Sequence, residues 1–258
     1  MPPLPRILIV CEDPVVANLA SSILLRNGYH VLGTVRGGYE PILKTALEVP
    51  DLVLIDTNIT GTMDAIDAAH YLLQIFHVPV LFIAGANDGE KLNRLKYAQP
   101  CGVLFRPFTD SQILTCVGLA LYTHADRRKS LGKLPLGESR TMMEAENEAV
   151  IILDKRGRVL LLNSYASWMV DLPLEKAFMR HWRDVMMFLF DTTGEEIRDP
   201  VTDATKNMAG SIYDGSISLV TTTSKRRKIV FKIRPVHDNH SRQIAVFLSL
   251  KENKKTYM

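Results

Sequence analysis

The sequence predicts two folded parts: an α/β, doubly wound five-stranded parallel sheet and, after it, an α+β domain with an antiparallel sheet. Apolar strand-like runs alternate with helix-like segments over the first 125 residues. The second half instead shows two strands, a helical middle and three strands. The formal charge changes at the same point, from −3 over residues 1–125 to +6 over residues 126–258, which also indicates two domains.

Five strand–helix units account for the first part. Residues 6–10 (RILIV) form a continuous apolar run, typical of a strand buried on both faces. Asp13 and Pro14 then begin a helix that ends near Gly28. The other predicted strands are residues 29–35, 52–55, 78–84 and 103–105, and the other helices are residues 39–48, 64–76, 88–98 and 109–125. Four apolar residues of the last helix predict packing on its own sheet, with dimerisation as the alternative: Ile113, Val117, Leu119 and Leu121.

The second part follows a charged linker that contains helix-breaking glycine and proline. We therefore predict domains at residues 1–126 and 145–258, joined by a linker at residues 127–144. The predicted strands of the second domain are residues 149–153, 158–162, 216–223, 228–236 and 243–251, with short helical pieces over residues 164–186 and a helix that begins at Asp199-Pro200. Its bulky apolar residues predict an ordinary core rather than a ligand cavity: Trp168, Phe178, Trp182, Met186, Phe188 and Met208.

Composition excludes several classes of protein. Hydrophobic residues make up 47% of the 258 residues and charged residues 23%, which indicates a globular chain. No apolar run approaches the ~20 residues of a membrane-spanning helix, and the N-terminus lacks the regions of a signal peptide. The three cysteines, Cys11, Cys101 and Cys116, are an odd and sparse set that fits a reducing compartment. We expect a cytoplasmic protein and, without a Gly-rich phosphate loop or a nucleophile–base pair, no enzyme activity.

Acidic residues follow two predicted strands, at the edge where a parallel sheet binds its ligands. Glu12 and Asp13 come after the first strand, and Asp56 comes after the third. Carboxylates placed in this way can hold a hard divalent cation, and Asp56 can then accept a phosphoryl group. Arg106, at the end of the fifth strand, is placed to pair with the phosphate. The alternative is a solvated strand-end carboxylate without this role.

These features resemble the receiver domain of two-component response regulators, which has a CheY-like, flavodoxin-like fold. The resemblance covers about residues 6–125 and rests on residues 7–13 (ILIVCED), 51–56 (DLVLID) with 61–69 (GTMDAIDAA), 78–80 (VPV) and 106–108 (RPF). It implies that Asp56 is a phosphoacceptor for a partner histidine kinase. It also implies that Glu12, Asp56 and the carbonyl of Asn58 bind Mg²⁺.

Four positions depart from the receiver pattern. Cys11 replaces the first acidic residue, and because a thiol is a poor Mg²⁺ ligand, metal binding should weaken. Ala84 and Val103 stand where receivers carry a Ser/Thr and an aromatic residue that move together. Arg106 replaces a Lys and keeps its charge on a longer, forked side chain. Cys11, Ala84 and Val103 favour the alternative function, a degenerate, non-phosphorylated pseudo-receiver that acts as an interaction scaffold.

The second half resembles a PAS domain over about residues 145–251. The resemblance rests on residues 154–157 (DKRG), the strand-like residues 158–162, and Asn163 with Ala166 after it. It implies an output domain that senses a ligand, forms a homodimer or contacts a downstream protein. The ligand stays open, because the second half has no Cys for flavin photochemistry and the helix from residue 199 has no His for haem.

Two other features of the second half have ordinary structural explanations. His181, His237 and His240 are scattered, and we expect surface or structural roles rather than ligand roles. The basic run at residues 225–228 (KRRK) is predicted to be a solvated hairpin turn rather than a nucleic-acid site. We therefore expect no direct contact with nucleic acid and none with a membrane.

Overall fold

The computed structural model describes residues 3–85, 89–95, 98–130, 148–197, 199–207, 210–237 and 243–253. The chain divides into two compact units, Met1–Gly137 and Glu138–Met258. Within the described residues, no helix combines the length and the apolar character that a bilayer-crossing helix needs.

The first unit is the predicted five-stranded parallel sheet with flanking helices. Its strands lie in the order β2-β1-β3-β4-β5, and every strand pair is parallel. The described elements, in chain order, are β1 (Arg6–Val10), α1 (Pro14–Arg26), β2 (His30–Val35), α2 (Glu40–Glu48), β3 (Leu52–Asp56), α3 (Ala65–Gln74), β4 (Val80–Gly85), α4 (Gly89–Leu95), β5 (Gly102–Arg106) and α5 (Asp110–Ser130).

The apolar runs of the sequence occupy the centre of this sheet. Strands β1, β3 and β4 lie between two neighbours and are almost wholly buried, as expected for a sheet covered by helices on both faces. Helix α5 is longer than predicted and continues to Ser130, so the predicted linker at residues 127–144 begins as helix, and residues 131–144 lie outside the described residues. Ile113 and Val117 are buried as predicted, Leu121 is partly buried, and Leu119 is 59% exposed, so Leu119 was wrongly predicted to pack on the sheet.

The second unit contains a six-stranded antiparallel sheet in the order β7-β6-β11-β10-β9-β8. It has one strand more than predicted, because the apolar run MMFLF forms β8 and pairs with β9. The described elements are β6 (Ala149–Asp154), β7 (Val159–Leu162), α6 (Ser164–Val170), α7 (Leu174–Ala177), a 3₁₀ turn (Trp182–Asp184), β8 (Met186–Phe190), α8 (Pro200–Asn207), β9 (Ser211–Thr221), β10 (Arg226–His237) and β11 (Gln243–Glu252).

The basic run at residues 225–228 is not the predicted solvated turn. Arg226, Arg227 and Lys228 belong to strand β10, and only Lys225 lies in the turn. Arg226 pairs with Asp191 at 2.8 Å and Arg227 pairs with Glu252 at 3.2 Å. Lys225 pairs with the Asp171 carboxylate at 2.9 Å. The residues of this basic run are therefore engaged in strand pairing or in ion pairs within the second unit.

The bulky apolar residues that were predicted to form the core of the second unit lie partly in the core and partly at the surface. Trp182, Met186 and Phe188 are buried, and Phe178 is half-buried. Trp168 is 49% exposed, contrary to the prediction, and the Arg227 guanidinium lies over its ring at 3.9 Å. Met208 lies outside the described residues.

The histidines of the second unit take different places. The Nδ1 atom of His181 accepts a hydrogen bond from the backbone N–H of Arg183 at 3.4 Å, which caps the 3₁₀ turn. His237 is the last residue of β10. His240 lies outside the described residues.

Candidate functional site

The carboxylate of Asp56 is the centre of the candidate site. It lies at the carboxyl end of β3, and its side chain is only 3% exposed. The Arg106 guanidinium, at the end of β5, contacts both oxygens, with Nη1 3.1 Å from Oδ2 and Nη2 3.4 Å from Oδ1. The backbone N–H of Asn58 also donates to Oδ1 at 2.9 Å. Both carboxylate oxygens of Asp56 therefore have donors within the protein.

The reach of Arg106 follows from the strand order. Strand β4 lies between β3 and β5, and it ends in Ala84 and Gly85, two of the smallest residues. A long side chain can pass over such an end and reach the carboxylate two strands away. The forked guanidinium then matches the two carboxylate oxygens, which is the geometry that distinguishes Arg from Lys.

Cys11 lies on the other side of the same carboxylate. It is buried at the end of β1, and its Sγ donates to Asp56 Oδ2 at 3.4 Å. Burial and the negative charge of Asp56 raise the pKa of the Cys11 thiol to about 12. Cys11 is therefore a neutral thiol at physiological pH, and it serves Asp56 as a weak hydrogen-bond donor.

The other two acidic residues of the predicted site, Glu12 and Asp13, bind groups other than Asp56. The Oε1 atom of Glu12 accepts hydrogen bonds from the backbone N–H of Thr60 and from its hydroxyl, the latter at 2.8 Å. These two hydrogen bonds hold the pKa of the Glu12 carboxyl below its ordinary value. Asp13 caps helix α1, because its Oδ1 accepts from the backbone N–H of Val15 at 2.8 Å.

These donors do not fit a Mg²⁺ ion as the site is arranged. Mg²⁺ needs several oxygen ligands, usually with at least one free carboxylate. Here the Asp56 carboxylate is neutralised by Arg106, Cys11 is a neutral thiol, and Glu12 is bound to Thr60. Among the described residues, no group of three or more His, Cys, Asp or Glu side chains could hold a metal ion. The predicted ligand set of Glu12, Asp56 and Asn58 would require Arg106 and Glu12 to change partners.

Two basic residues of α4 complete the surroundings of the site. Lys91 Nζ donates to the carbonyl of Thr57 at 3.3 Å and to the side-chain oxygen of Asn58. Arg94 pairs with Asp64, the N-cap of α3, at 3.0 Å. Sequence reasoning missed both contacts. The available signal was their i,i+3 spacing on a helix that follows a sheet strand, which places both on one helix face.

Residues 7–118 match the family model described as the response regulator receiver domain. The transcriptional regulatory protein PdtaR of Mycobacterium tuberculosis is 26% identical over 118 residues, which are 45% of this chain and 57% of that protein. The phyllosphere-induced regulator PhyR of Methylorubrum extorquens is 25% identical over 125 residues, which are 48% of this chain and 46% of that protein. The chain spans about half the length of these curated relatives.

A solved structure is similar to about half of the chain. It is the signal receiver domain of a modulated diguanylate cyclase from Desulfovibrio desulfuricans, with 28% sequence identity and a TM-score of 0.46. The similarity covers 48% of this chain and 99% of that one.

Proposed function

Residues 7–118 form a response regulator receiver domain, and from this premise we propose that the chain is a signalling regulator whose receiver domain binds protein partners without being phosphorylated. The observation that carries this proposal is the closed state of Asp56. Its buried carboxylate is already paired with a forked guanidinium, a neutral thiol and a backbone N–H. A carboxylate held in this way is a poor nucleophile, because attack on phosphorus requires it to give up these partners.

The residues that surround Asp56 support the same function. Ala84 has no hydroxyl for a phosphoryl oxygen, and Val103 has no aromatic ring that could reorient with it. Glu12, which the receiver resemblance assigns to Mg²⁺, instead holds the loop after β3 through Thr60. Ala84 and Val103 therefore lack groups that phosphotransfer uses, and Glu12 is occupied by Thr60.

The output in this proposal is the second unit, acting as a PAS-like interaction domain on a downstream protein or a second copy of the chain. Asn163 supports the PAS-like assignment, because its Oδ1 accepts from the backbone N–H of Ala166 at 2.8 Å and of Val150 at 3.0 Å. That pattern is the strand-pair-to-helix cap on which the resemblance rests. The proposal includes a cytoplasmic location, no enzyme activity of its own, and no direct contact with nucleic acid or a membrane.

A second candidate function is phosphoryl acceptance on Asp56 from a sensor histidine kinase. The specific observation in its favour is the placement of Asp56 at the carboxyl end of a central parallel strand, beside a cation and a backbone N–H donor. In that function Arg106 would release the carboxylate and pair with phosphoryl oxygens instead.

Intact-mass measurement separates the two functions. The full chain is incubated with phosphoramidate and Mg²⁺, quenched in acid at times from seconds to an hour, and compared with Asp56→Asn. We expect no added phosphoryl group in either protein. One phosphoryl group on the wild type that is missing from Asp56→Asn would reject the phosphorylation-independent function and establish the phosphoacceptor one.

A further inference from the structure

Strand β10 of the second unit has a core side and an outward side. Side chains alternate between the two faces of a strand, and Ile229, Phe231 and Ile233 lie in the core with at most 1% exposure. The residues between and beside them lie on the opposite face and are exposed or half-buried; we call them the outward row: Arg226, Lys228, Val230, Lys232 and Arg234. Four cations therefore share one row on the side of the strand that faces away from the core.

The positive charge of the outward row is only partly neutralised. At one end of the row, Arg226 pairs with Asp191 at 2.8 Å. Among the described residues, Lys232 and Arg234 have no acidic partner. The Arg234 guanidinium instead lies 4.6 Å from the centre of the Phe247 ring on the neighbouring strand β11. An anionic ligand can therefore pair with these two cations without displacing a carboxylate of the described chain.

Apolar side chains flank these cations on the same face. Residues directly opposite each other on neighbouring strands lie on one face of the sheet. Ile212 of β9 is opposite Lys232 and is 66% exposed. Val220 of β9 is opposite Arg226, and its other neighbour, Met187 of β8, is 41% exposed. Exposed apolar groups rimmed by charged ones are typical of surfaces that bind another molecule.

We propose that the outward row binds an acidic amphipathic helix of a downstream protein, whose carboxylates pair with Lys232 and Arg234 and whose apolar stripe covers Ile212. This partner chemistry rests on the interaction role proposed for the second unit. The dimensions agree with a helical partner. The row from residue 226 to residue 234 spans eight steps of about 3.3 Å, or about 26 Å, which a helix of about 18 residues covers.

Two other kinds of ligand fit this sheet less well. An added strand needs a free sheet edge. In edge strand β7, however, the Val159 N–H donates to the Arg180 carbonyl at 2.9 Å, and in edge strand β8 a backbone carbonyl accepts the Ile197 N–H at 2.8 Å. Single-stranded nucleic acid stacks its bases on exposed aromatic rings. Among the side chains that the structure describes on this face, the aromatic one is Phe247, which is only 6% exposed.

Fluorescence anisotropy of the full chain tests the proposal. The probe is a labelled peptide of about 18 residues in which leucines recur every three or four positions and glutamates occupy the flanking positions. The charge-reversed variant, Lys232→Glu with Arg234→Glu, should raise the Kd of the probe about tenfold or more, because two charge pairs are lost and repulsion replaces them. Ile212→Ser should raise it about fivefold through lost apolar contact.

The matched control is Lys155→Glu with Lys176→Glu. It makes the same change of net charge at exposed lysines in the turn after β6 and on α7, outside the outward row. This control should leave the Kd of the probe within about twofold of the wild-type value, because distant exposed charges are largely screened by salt. A scrambled peptide of the same composition, without the apolar stripe, should bind the wild type at least about fivefold more weakly.

Several results would overturn the proposal. They are no binding of the probe by the wild type, equal Kd values in the charge-reversed and control variants, and equal binding of the scrambled peptide. Tighter binding of oligothymidylate or of phosphatidylglycerol vesicles that the charge reversal abolishes would assign the face to nucleic acid or to lipid instead. A wild-type dimer in sedimentation velocity that the charge reversal converts to a monomer would assign it to a second copy. If the charge-reversed variant fails to fold, Ile212→Ser decides alone, and an unchanged Kd in that variant overturns the proposal.

The binding measurement and the mass measurement on Asp56 test different parts of the chain. Failure of the peptide to bind would reject the acidic partner and leave the phosphorylation-independent function of the first unit as it stands. A phosphoryl group on Asp56 would reject that function and leave the peptide result unchanged.

Discussion

Arg106→Met removes the cation that pairs with the buried carboxylate of Asp56. We expect this substitution to destabilise the first unit strongly, because Met fills similar apolar volume but leaves a charged carboxylate with too few donors. The Asp56 side chain is 3% exposed and cannot recover its hydration by a small movement. Its remaining donors are the Asn58 N–H and the weak Cys11 thiol.

The size of the effect follows from the burial of the two partners. Removing one partner of a fully buried ion pair costs about 3–5 kcal/mol. The Arg106 side chain is 21% exposed, and Asp56 keeps a backbone donor, so the cost should lie at about 2–3 kcal/mol. Asp56→Asn should cost less, at about 1 kcal/mol, because the freed guanidinium can turn towards water. The double variant should cost less than Arg106→Met alone.

Urea unfolding resolves the two units of the chain. Both tryptophans, Trp168 and Trp182, lie in the second unit, so their fluorescence reports that unit alone. Far-UV circular dichroism reports both units. Arg106→Met should lower the midpoint of the transition seen only by circular dichroism by about 1–2 M urea, and the tryptophan transition should not move.

The matched control is Arg26→Met, which removes an exposed Arg–Asp pair. Arg26 and Asp110 are 3.5 Å apart, with side chains that are 66% and 61% exposed, so the loss should stay below about 0.5 kcal/mol. Equal costs for Arg106→Met and Arg26→Met would refute the reasoning. They would show that Asp56 does not depend on Arg106 and that its carboxylate is free for other chemistry.

Two further predictions concern single buried polar groups. Asn163→Ala removes two accepted hydrogen bonds and one donated to the Glu148 carbonyl, so the free energy of unfolding of the second unit, followed by tryptophan fluorescence, should fall by about 2–3 kcal/mol. The control Thr193→Ala removes one exposed hydrogen bond and should lower it by less than about 0.5 kcal/mol. Equal losses in the two variants would contradict the role of Asn163 as a buried cap. A thiol pKa of about 12 leaves about one Cys11 thiolate in 10⁴ at pH 8, so iodoacetamide should label the half-buried Cys101 and Cys116 before Cys11. Cys11 should react only after urea unfolding or at much higher pH, and early labelling of Cys11 in peptide mass spectra would contradict its burial.

Much of the first unit could be predicted because its signals are local. The apolar run at residues 6–10, the Asp13-Pro14 cap and the alternation of strands and helices all depend on residues close together in sequence. The antiparallel class of the second sheet was predictable for the same reason. Strand β8 was missed because a short apolar run fits a buried helix segment as well as an edge strand.

The errors in side-chain placement have a common cause. Trp168 was predicted to be in the core because it is large and apolar, but Arg227, 59 positions later in the chain, stacks on it at the surface. The basic run at residues 225–228 was predicted to be a turn because charges favour solvent. Its acidic partners are Asp171 after helix α6, Asp191 after strand β8 and Glu252 in strand β11. These three residues come close to the basic run only in the folded sheet.

The sequence by itself determined the parallel sheet, the antiparallel sheet and the positions of Asp56 and Arg106 at strand ends, because hydrophobic periodicity and capping act over a few residues. Only the tertiary structure decided what the Asp56 carboxylate binds. The pairing with Arg106 crosses 50 positions and the small end of β4, and the tie between Glu12 and Thr60 crosses 48 positions. Contacts of that range form only after the strands lie side by side in the sheet. They decide whether the Asp56 carboxylate is paired with Arg106 or free to bind a metal ion.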